Sequence, residues 1–337
     1  MPDRITLAHG SGGKAMQELV NKIFLSYFAN EILNRQEDQA RIPLAPLTLT
    51  GEKLAFSCDS YVVDPIRFPG GDIGKLAVCG TANDIAMSGA KPIYLSAGFI
   101  IEEGFSIDEL KQVACSMAKT ASEAGIEIVT GDTKVVPKGA ADKLFISTSG
   151  IGVIPANVDW GVQHIQPGDQ ILISGNLGDH GATILNAREN LGFGGQLNSD
   201  CQHLYPFVEA LLPVKGIRTL RDATRGGVNA VLHEFVASSG CGFQVIEQAL
   251  PVSSPVRGLS ELLGLEVLNF ANEGKFIAIV DPKDANLALS TLRQLKGGSD
   301  AAIIGEVNSS QKVSVLNAFG ASRWLDLPWD EPMPRIC

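Results

Sequence analysis

A two-domain α/β fold is what this sequence predicts, and three observations carry the prediction. The chain has 337 residues, enough for two domains with separate cores. Its 45% hydrophobic content and 36 glycines fit a globular α/β protein rather than a disordered one. Strand-like and helix-like stretches also mix in similar proportion on both sides of a connector rich in Pro, Gly and polar residues, 155–168. The predicted division is 1–157, 158–320 and a tail, 321–337.

The first element, His9-Gly-Ser-Gly-Gly13-Lys14, precedes a helical pattern of Met16, Leu19, Val20, Ile23, Phe24 and Tyr27. Its glycines let backbone N–H groups approach a phosphate, although no Walker A spacing is present and a flexible loop is the plain alternative. Residues 54–63 alternate as a strand carrying Asp59, a turn follows at 68–71, and a helix is predicted over about 72–89. Between Ile73 and Ala90 its only charged side chains are Lys75 and Asp84, so the helix is expected to be buried. Asp84 then needs a partner, either a salt bridge or cap, or a metal ion.

Ser106 and Glu109 form a capping box for a helix whose stripe is Ile107, Leu110, Ala114, Met117 and Ala121, ended by Gly125. A strand at 127–130 is expected to deliver Gly131-Asp132-Thr133-Lys134 at its C-terminal end, where α/β sheets bind ligands; a Gly-Asp turn is the alternative. Further strands are predicted at 144–152, 170–174, 276–280, 301–307 and 313–316. Helices are predicted from about Ala182, after Arg221-Asp-Ala-Thr-Arg-Gly-Gly227, and over 285–295. His180 and His233 read as capping or surface residues. Glu273, beside Gly274, is a turn residue or a base aimed at the inter-domain cleft.

Composition excludes several functions. The net charge of −10 argues against a nucleic-acid groove, though a divalent cation would still allow an acidic protein to hold nucleotide. The six cysteines stand singly, which argues against a disulfide framework or structural zinc site. No charged start leads into an apolar run, and no stretch approaches bilayer length, so a cytoplasmic protein with no membrane partner is expected. The sequence closes on Glu331-Pro-Met-Pro-Arg-Ile-Cys337, a thiol on a stiff extended segment that Trp324 and Trp329 could anchor. At full extension, seven such residues reach roughly 20 Å.

Taken in order, HGSGGK, CDSYVVDP, FPGGDIGKLAVCGTANDIAMSGA, GDTKVV, GDHGATIL, DATRGGVNAVLHE, PVRGLSELLGL, NFANEGK and the closing PRIC resemble the HypE family of hydrogenase maturation factors, the carbamoyl dehydratases. The likeness runs from Leu7 to Cys337. Asp-x-Thr-x-Gly-Gly and the separated aspartates are shared more widely, with the ATP-binding superfamily of aminoimidazole ribonucleotide synthetase, selenophosphate synthetase and thiamine monophosphate kinase. The closing Pro-Arg-Ile-Cys is what singles out the dehydratases.

The resemblance implies a two-domain aminoimidazole ribonucleotide synthetase-like fold. Its N-terminal domains would pair in a homodimer through a barrel-like sheet, with ATP in a nearby cleft. It further implies that Cys337 accepts a carbamoyl group from a HypF-type carbamoyltransferase. ATP then drives its dehydration to a thiocyanate, and the cyanide passes to a HypC–HypD-type iron scaffold for nickel-iron hydrogenase.

On that reading Asp59, Asp84 and Asp132 converge on Mg²⁺, and Gly12, Gly13 and Lys14 cover the phosphates, across the dimer in one version. Thr224 and Arg225 bind phosphate or organise the cleft. Lys134 stabilises the transferring phosphoryl group or positions the amide oxygen, and Glu273 is the base for the amide nitrogen. Two rival readings stay open: a small-molecule phosphoryl transferase of the same superfamily, and a non-catalytic carrier of the carbamoyl or cyanide group.

Overall fold

The computed structural model describes residues 3–329. Its first domain is built on a four-stranded mixed sheet of β1 (Lys53–Tyr61), β4 (Lys91–Glu102), β5 (Glu127–Val136) and β6 (Leu144–Ile154), in the order β1-β6-β4-β5. A two-stranded ribbon, β2 (Arg67–Phe68) and β3 (Gly71–Asp72), introduces the helix Ile73–Ala86. Only β4 and β5 run parallel.

The second domain is a seven-stranded sheet of β7 (Gln170–Ile173), β8 (Ile217–Asp222), β9 (Gly242–Ile246), β10 (Phe276–Val280), β11 (Ala302–Asn308), β12 (Val313–Leu316) and β13 (Ser322–Trp324). Their order is β13-β12-β9-β11-β7-β10-β8. Among the described residues, no helix is long and apolar enough to cross a membrane.

The helix Ile73–Ala86 is where the sequence pattern and the packing agree most closely. The Asp72 carboxylate caps it, accepting from the backbone of Gly74 at 2.8 Å and Lys75 at 3.1 Å. Nearly all its side chains are buried, because it lies against the first sheet and the helix Ile107–Ala124 while its C-terminal Ala86 enters the core of the second domain. Its Asn83 ties the two domains: Nδ2 donates to the Gln202 carbonyl at 3.0 Å and Oδ1 accepts from the Leu204 N–H at 2.8 Å. The following helix is capped by Ser106 and ends at Gly125 in the left-handed conformation, φ 68°, as its sequence predicts.

Three elements differ from expectation. Residues 91–102 form a long central strand that the sequence reading passes over, since apolar or small residues on both faces, Leu95, Phe99 and Ile101 on the buried one and Tyr94, Gly98 and Ile100 on the other, hide its alternation in the sequence. That strand also extends β5. Gly131, Asp132, Thr133 and Lys134 pair with Ala97, Gly98, Phe99 and Ile100, so they lie inside an edge strand rather than on a loop at its end. The helix expected from about Ala182 begins earlier, at Asp179.

Close packing around the Ile73–Ala86 helix makes a direct test available. A Cβ at Gly80 would lie 2.2 Å from the Tyr61 hydroxyl, which is itself buried and within 3.2 Å of Thr81 Oγ1. Gly80→Ala should therefore destabilise the protein by about 1–3 kcal/mol through overpacking, read as a lowered thermal midpoint; an unchanged midpoint would contradict this packing.

Candidate active site

The strand β1 and the helix Ile73–Ala86 meet the end of β8 across a cleft of about 610 Å³. From the first domain come Ser57, Asp59 and Asp84; from the second come Arg221, Asp222, Thr224, Arg225 and Glu234. Alternation along β1 puts Ser57 and Asp59 on the face that carries buried Tyr61, toward the helix that supplies Asp84. In the second domain the glycine pair after Arg225 is structural: Gly227 has φ 60°, and a Cβ there would lie 2.5 Å from the carbonyls of Leu268 and Phe270. The helix Gly227–Ser239 can start there only with glycine.

The electrostatics of the cleft centre on carboxylates. Ser57 Oγ donates to Asp84 Oδ2 at 2.6 Å. Burial raises the Asp84 pKa, with the Asp59 charge adding to the rise, while hydrogen bonds with Ser57 and Asp222 oppose it. Asp222 is pushed up to about 8, first by burial and then by the Asp84 charge. At neutral pH Asp222, facing Asp84, holds its proton. Arg221 pairs with Glu234 at 2.7 Å on the rim, and Arg225 makes no ion pair among the described residues, leaving a guanidinium for an anion.

Asp222 is a site residue that the sequence reading missed. The signal was present in Asp-x-Thr-x-Gly-Gly, but the pattern drew attention to its phosphate-like turn, not its leading carboxylate.

The predicted site residues fall into separate groups. Asp59, Asp84, Thr224 and Arg225 share the cleft. Asp132 and Lys134 do not join them in one chain: they pair with each other at 2.9 Å, about two-thirds exposed, on the opposite edge of the sheet. Three inter-strand steps separate β5 from β1, roughly 14 Å. The expected convergence of Asp59, Asp84 and Asp132 is therefore absent within a single chain. No group of three candidate metal ligands closes on one point among the described residues.

Gly12, Gly13 and Lys14 are exposed and lie on the β5 side, where neighbouring Gly10 packs on Val135. Cys337 lies outside the described residues.

Glu273 is buried at the end of a stapled loop. Asp200 accepts from the N–H groups of Glu273 at 3.1 Å and Gly274 at 3.2 Å, and takes the Lys275 ammonium at 3.2 Å. Burial, reinforced by the charges of Asp200, Asp222 and Asp59, pushes the Glu273 carboxyl well above the usual carboxylate range. His180, read from sequence as a cap or surface residue, is buried, with Nδ1 2.8 Å from Ser199 Oγ and its ring edge-on to Phe68.

The class that this two-domain α/β fold defines is that of the AIR synthase related proteins. The sequence matches their N-terminal domain over residues 36–154 and their C-terminal domain over residues 166–316. Carbamoyl dehydratase HypE of Escherichia coli strain K12 is 59% identical over 335 residues, covering 99% of this chain and all of the relative.

A crystal structure of the hydrogenase maturation protein HypE in complex with ATP superposes with a TM-score of 0.93 at 47% identity, covering 98% of this chain and 99% of that one. A HypE–HypF complex gives 0.80 at 45% identity, covering 92% and 99%. The chain belongs to the HypE family of carbamoyl dehydratases.

The cleft's carboxylates predict how stability depends on pH. Above the ordinary aspartate pKa of 3.8 the unfolded chain has lost a proton that folded Asp222 keeps until about pH 8. Stability from this group therefore falls as pH rises through that window and levels off above it. In metal-free buffer, Asp222→Asn should melt several degrees above the parent at about pH 9, with the gap closing toward pH 4. Parallel melting curves at both ends would contradict the burial of an unpaired proton site.

Proposed function

We propose that the cleft between the two domains catalyses ATP-dependent dehydration of a carbamoyl group carried on the Cys337 thiol, leaving a thiocyanate that supplies cyanide for nickel-iron hydrogenase. The single observation behind the reading is the junction itself, where Asp59, Asp84 and Asp222 face Thr224 and Arg225. It is supported by full-length similarity to carbamoyl dehydratases and by the ATP complex of a 47% identical relative.

The chemistry suits these groups. Hydroxide is a poor leaving group from an amide carbon. Transfer of the terminal phosphoryl group of ATP to the amide oxygen makes phosphate the leaving group; two protons leave nitrogen, the C–O bond breaks, and R–S–C≡N remains with ADP and phosphate. Arg225 and the Thr224 hydroxyl would bind phosphate oxygens at the start of the Gly227–Ser239 helix, where backbone N–H groups also favour an anion.

Asp84 and Asp222, half-buried and buried and crowded against Asp59, form a donor set that fits a hard divalent cation: oxygen ligands whose mutual repulsion a cation relieves. Mg²⁺ held there would neutralise charge on the transferring phosphoryl group. Glu273 fits a proton-transfer role at the amide nitrogen. Burial, then the charges of Asp200, Asp222 and Asp59, favour its protonated form, and positive charge held near Asp222 and Asp59 would offset the part due to those two.

We further propose that the working site is completed by a second copy of the chain. Lys14, Asp132 and Lys134 lie on the far edge of the sheet, too distant to serve their own cleft. The sheet face away from the helices is uncovered and apolar, with Phe56 71%, Leu54 55% and Ile100 42% exposed. Two such faces closing on each other would bury these side chains and carry the β5 edge of one copy toward the β1 edge of the other. Lys134 of that second copy would then stabilise the phosphoryl group, and its Gly12, Gly13 and Lys14 would cover the phosphates.

A HypF-type carbamoyltransferase loads Cys337 and a HypC–HypD-type scaffold receives cyanide; the HypE–HypF complex of a 45% identical relative supports the first partner. The reaction is placed in the cytoplasm, where ATP is available and thiols stay reduced.

Intact mass spectrometry tests the reading. After incubation with the carbamoyltransferase, carbamoyl phosphate and Mg-ATP, the protein should gain a carbamoyl group and then lose the mass of one water, with neither change in Cys337→Ala. An adduct that never loses water would leave the chain a carrier. Consumption of ATP on a small acceptor with no adduct would favour a phosphoryl transferase.

A further inference from the structure

The polypeptide leading to Cys337 is tied down at one place beyond the second sheet. Strand β13 pairs with β12, Lys312 stacks over Trp324 at 4.7 Å, and Arg323 pairs with Glu266. Leu325 is buried in the second-domain core, while Leu327 is half exposed and Trp329, expected as an anchor, is wholly exposed. Between these lie two side-chain hydrogen bonds to backbone. The His233 ring Nε2 is 2.8 Å from the Leu325 carbonyl, and Asn229 Nδ2 donates to the Asp326 carbonyl at 3.1 Å.

Asn229 and His233 stand one turn apart on the Gly227–Ser239 helix, on a stripe roughly opposite Val231 and Glu234, which line the cleft. The order of the contacts fixes a direction: Leu325 meets His233 and Asp326 meets Asn229, so the chain runs toward the helix N-terminus. That end is the Thr224–Gly227 turn at the cleft.

Asparagine 229 is chosen for its donors. It is completely buried, its Nδ2 also donates to Asn269 at 2.9 Å, and its Oδ1 has no partner among the described residues. A leucine would fill a similar volume without an unsatisfied carbonyl, which costs about 1–3 kcal/mol when buried. What the amide adds is a link from the Asp326 backbone to Asn269, at the start of the loop that ends in Glu273.

We propose that Asn229 and His233 form a clamp that aims the Cys337 arm at the cleft of its own subunit. From Asp326 to Cys337 there are eleven residues, an upper reach of about 36 Å, against about one helical turn, 5 Å, from Asn229 to the cleft-side end of the helix. Reach is not limiting, so the clamp acts through direction and local concentration of the thiol. These are positioning residues, and the inference rests on the dehydration reading above.

The test uses full-length protein carbamoylated on Cys337, with Asn229→Leu, His233→Leu and His233→Gln beside the parent. Single-turnover water loss from the tail is followed by intact mass. Each leucine variant should dehydrate its own tail about tenfold more slowly, through a lower effective concentration, with the ATP dependence unchanged. His233→Gln, which keeps a donor, should recover much of the rate.

A pre-carbamoylated peptide of the last eight residues, supplied in solution to the unloaded proteins, should be dehydrated equally by all of them. Tail rates equal to the parent in both leucine variants would overturn the clamp, as would an equal loss on the free peptide, which marks a structural defect. If Asn229→Leu fails to fold, the His233 pair decides alone. Absence of water loss in the parent would instead refute the dehydration reading.

Discussion

Burial of one nearly uncharged helix is the constraint on which the site depends. Ile73–Ala86 touches the first sheet, the helix beside it and the second domain, so its position is set from three sides. Asn83 fastens it to the second domain at Gln202 and Leu204, and the next residue is Asp84. A carboxylate is thereby held at the domain junction by packing, not by its own hydrogen bonds. The Asp222 carboxyl meets it from a strand end in the other domain, so the electrostatics of the cleft also report how the domains are joined.

The same helix covers only one face of the first sheet. The other face keeps Leu54, Phe56 and Ile100 in contact with solvent, and both edge strands are unpaired by any other strand among the described residues. Residues with phosphate-binding chemistry are split accordingly: Asp84, Asp222 and Arg225 on the β1 side, Lys14, Asp132 and Lys134 on the β5 side. A single copy therefore presents two incomplete halves. On the proposed reading dimerisation and catalysis become one problem, because a second copy that covers the apolar face would also complete the site.

Much of this was legible in the sequence where local rules and tertiary packing agree. The two long helices of the first domain declared themselves through a low charge count, a capping box and a terminal glycine. The strand 91–102 did not, since apolar or small residues on both of its faces hide the alternation that its burial shows. Asp132 was misplaced for a related reason: Gly131 reads as a turn, whereas β4 holds it in a strand. Sequence spacing could bring Asp59 and Asp84 into one site, because strand and helix are adjacent, but could not reveal that Asp132 lies at the other edge. The upward push on the Glu273 pKa was likewise invisible, being a product of burial and of charges from Asp200, Asp222 and Asp59.

Complementation between two inactive variants tests the composite site most directly. Asp84→Asn and Asp132→Asn would each be purified, unfolded together and refolded as a mixture, and dehydration of carbamoylated Cys337 measured. If the second copy supplies Asp132, half of the dimers in a random mixture are hybrids with one intact site of two, so about a quarter of parental activity should return. Hybrids that form but remain as inactive as either variant alone would contradict the account, placing Asp84 and Asp132 in a site made by one chain.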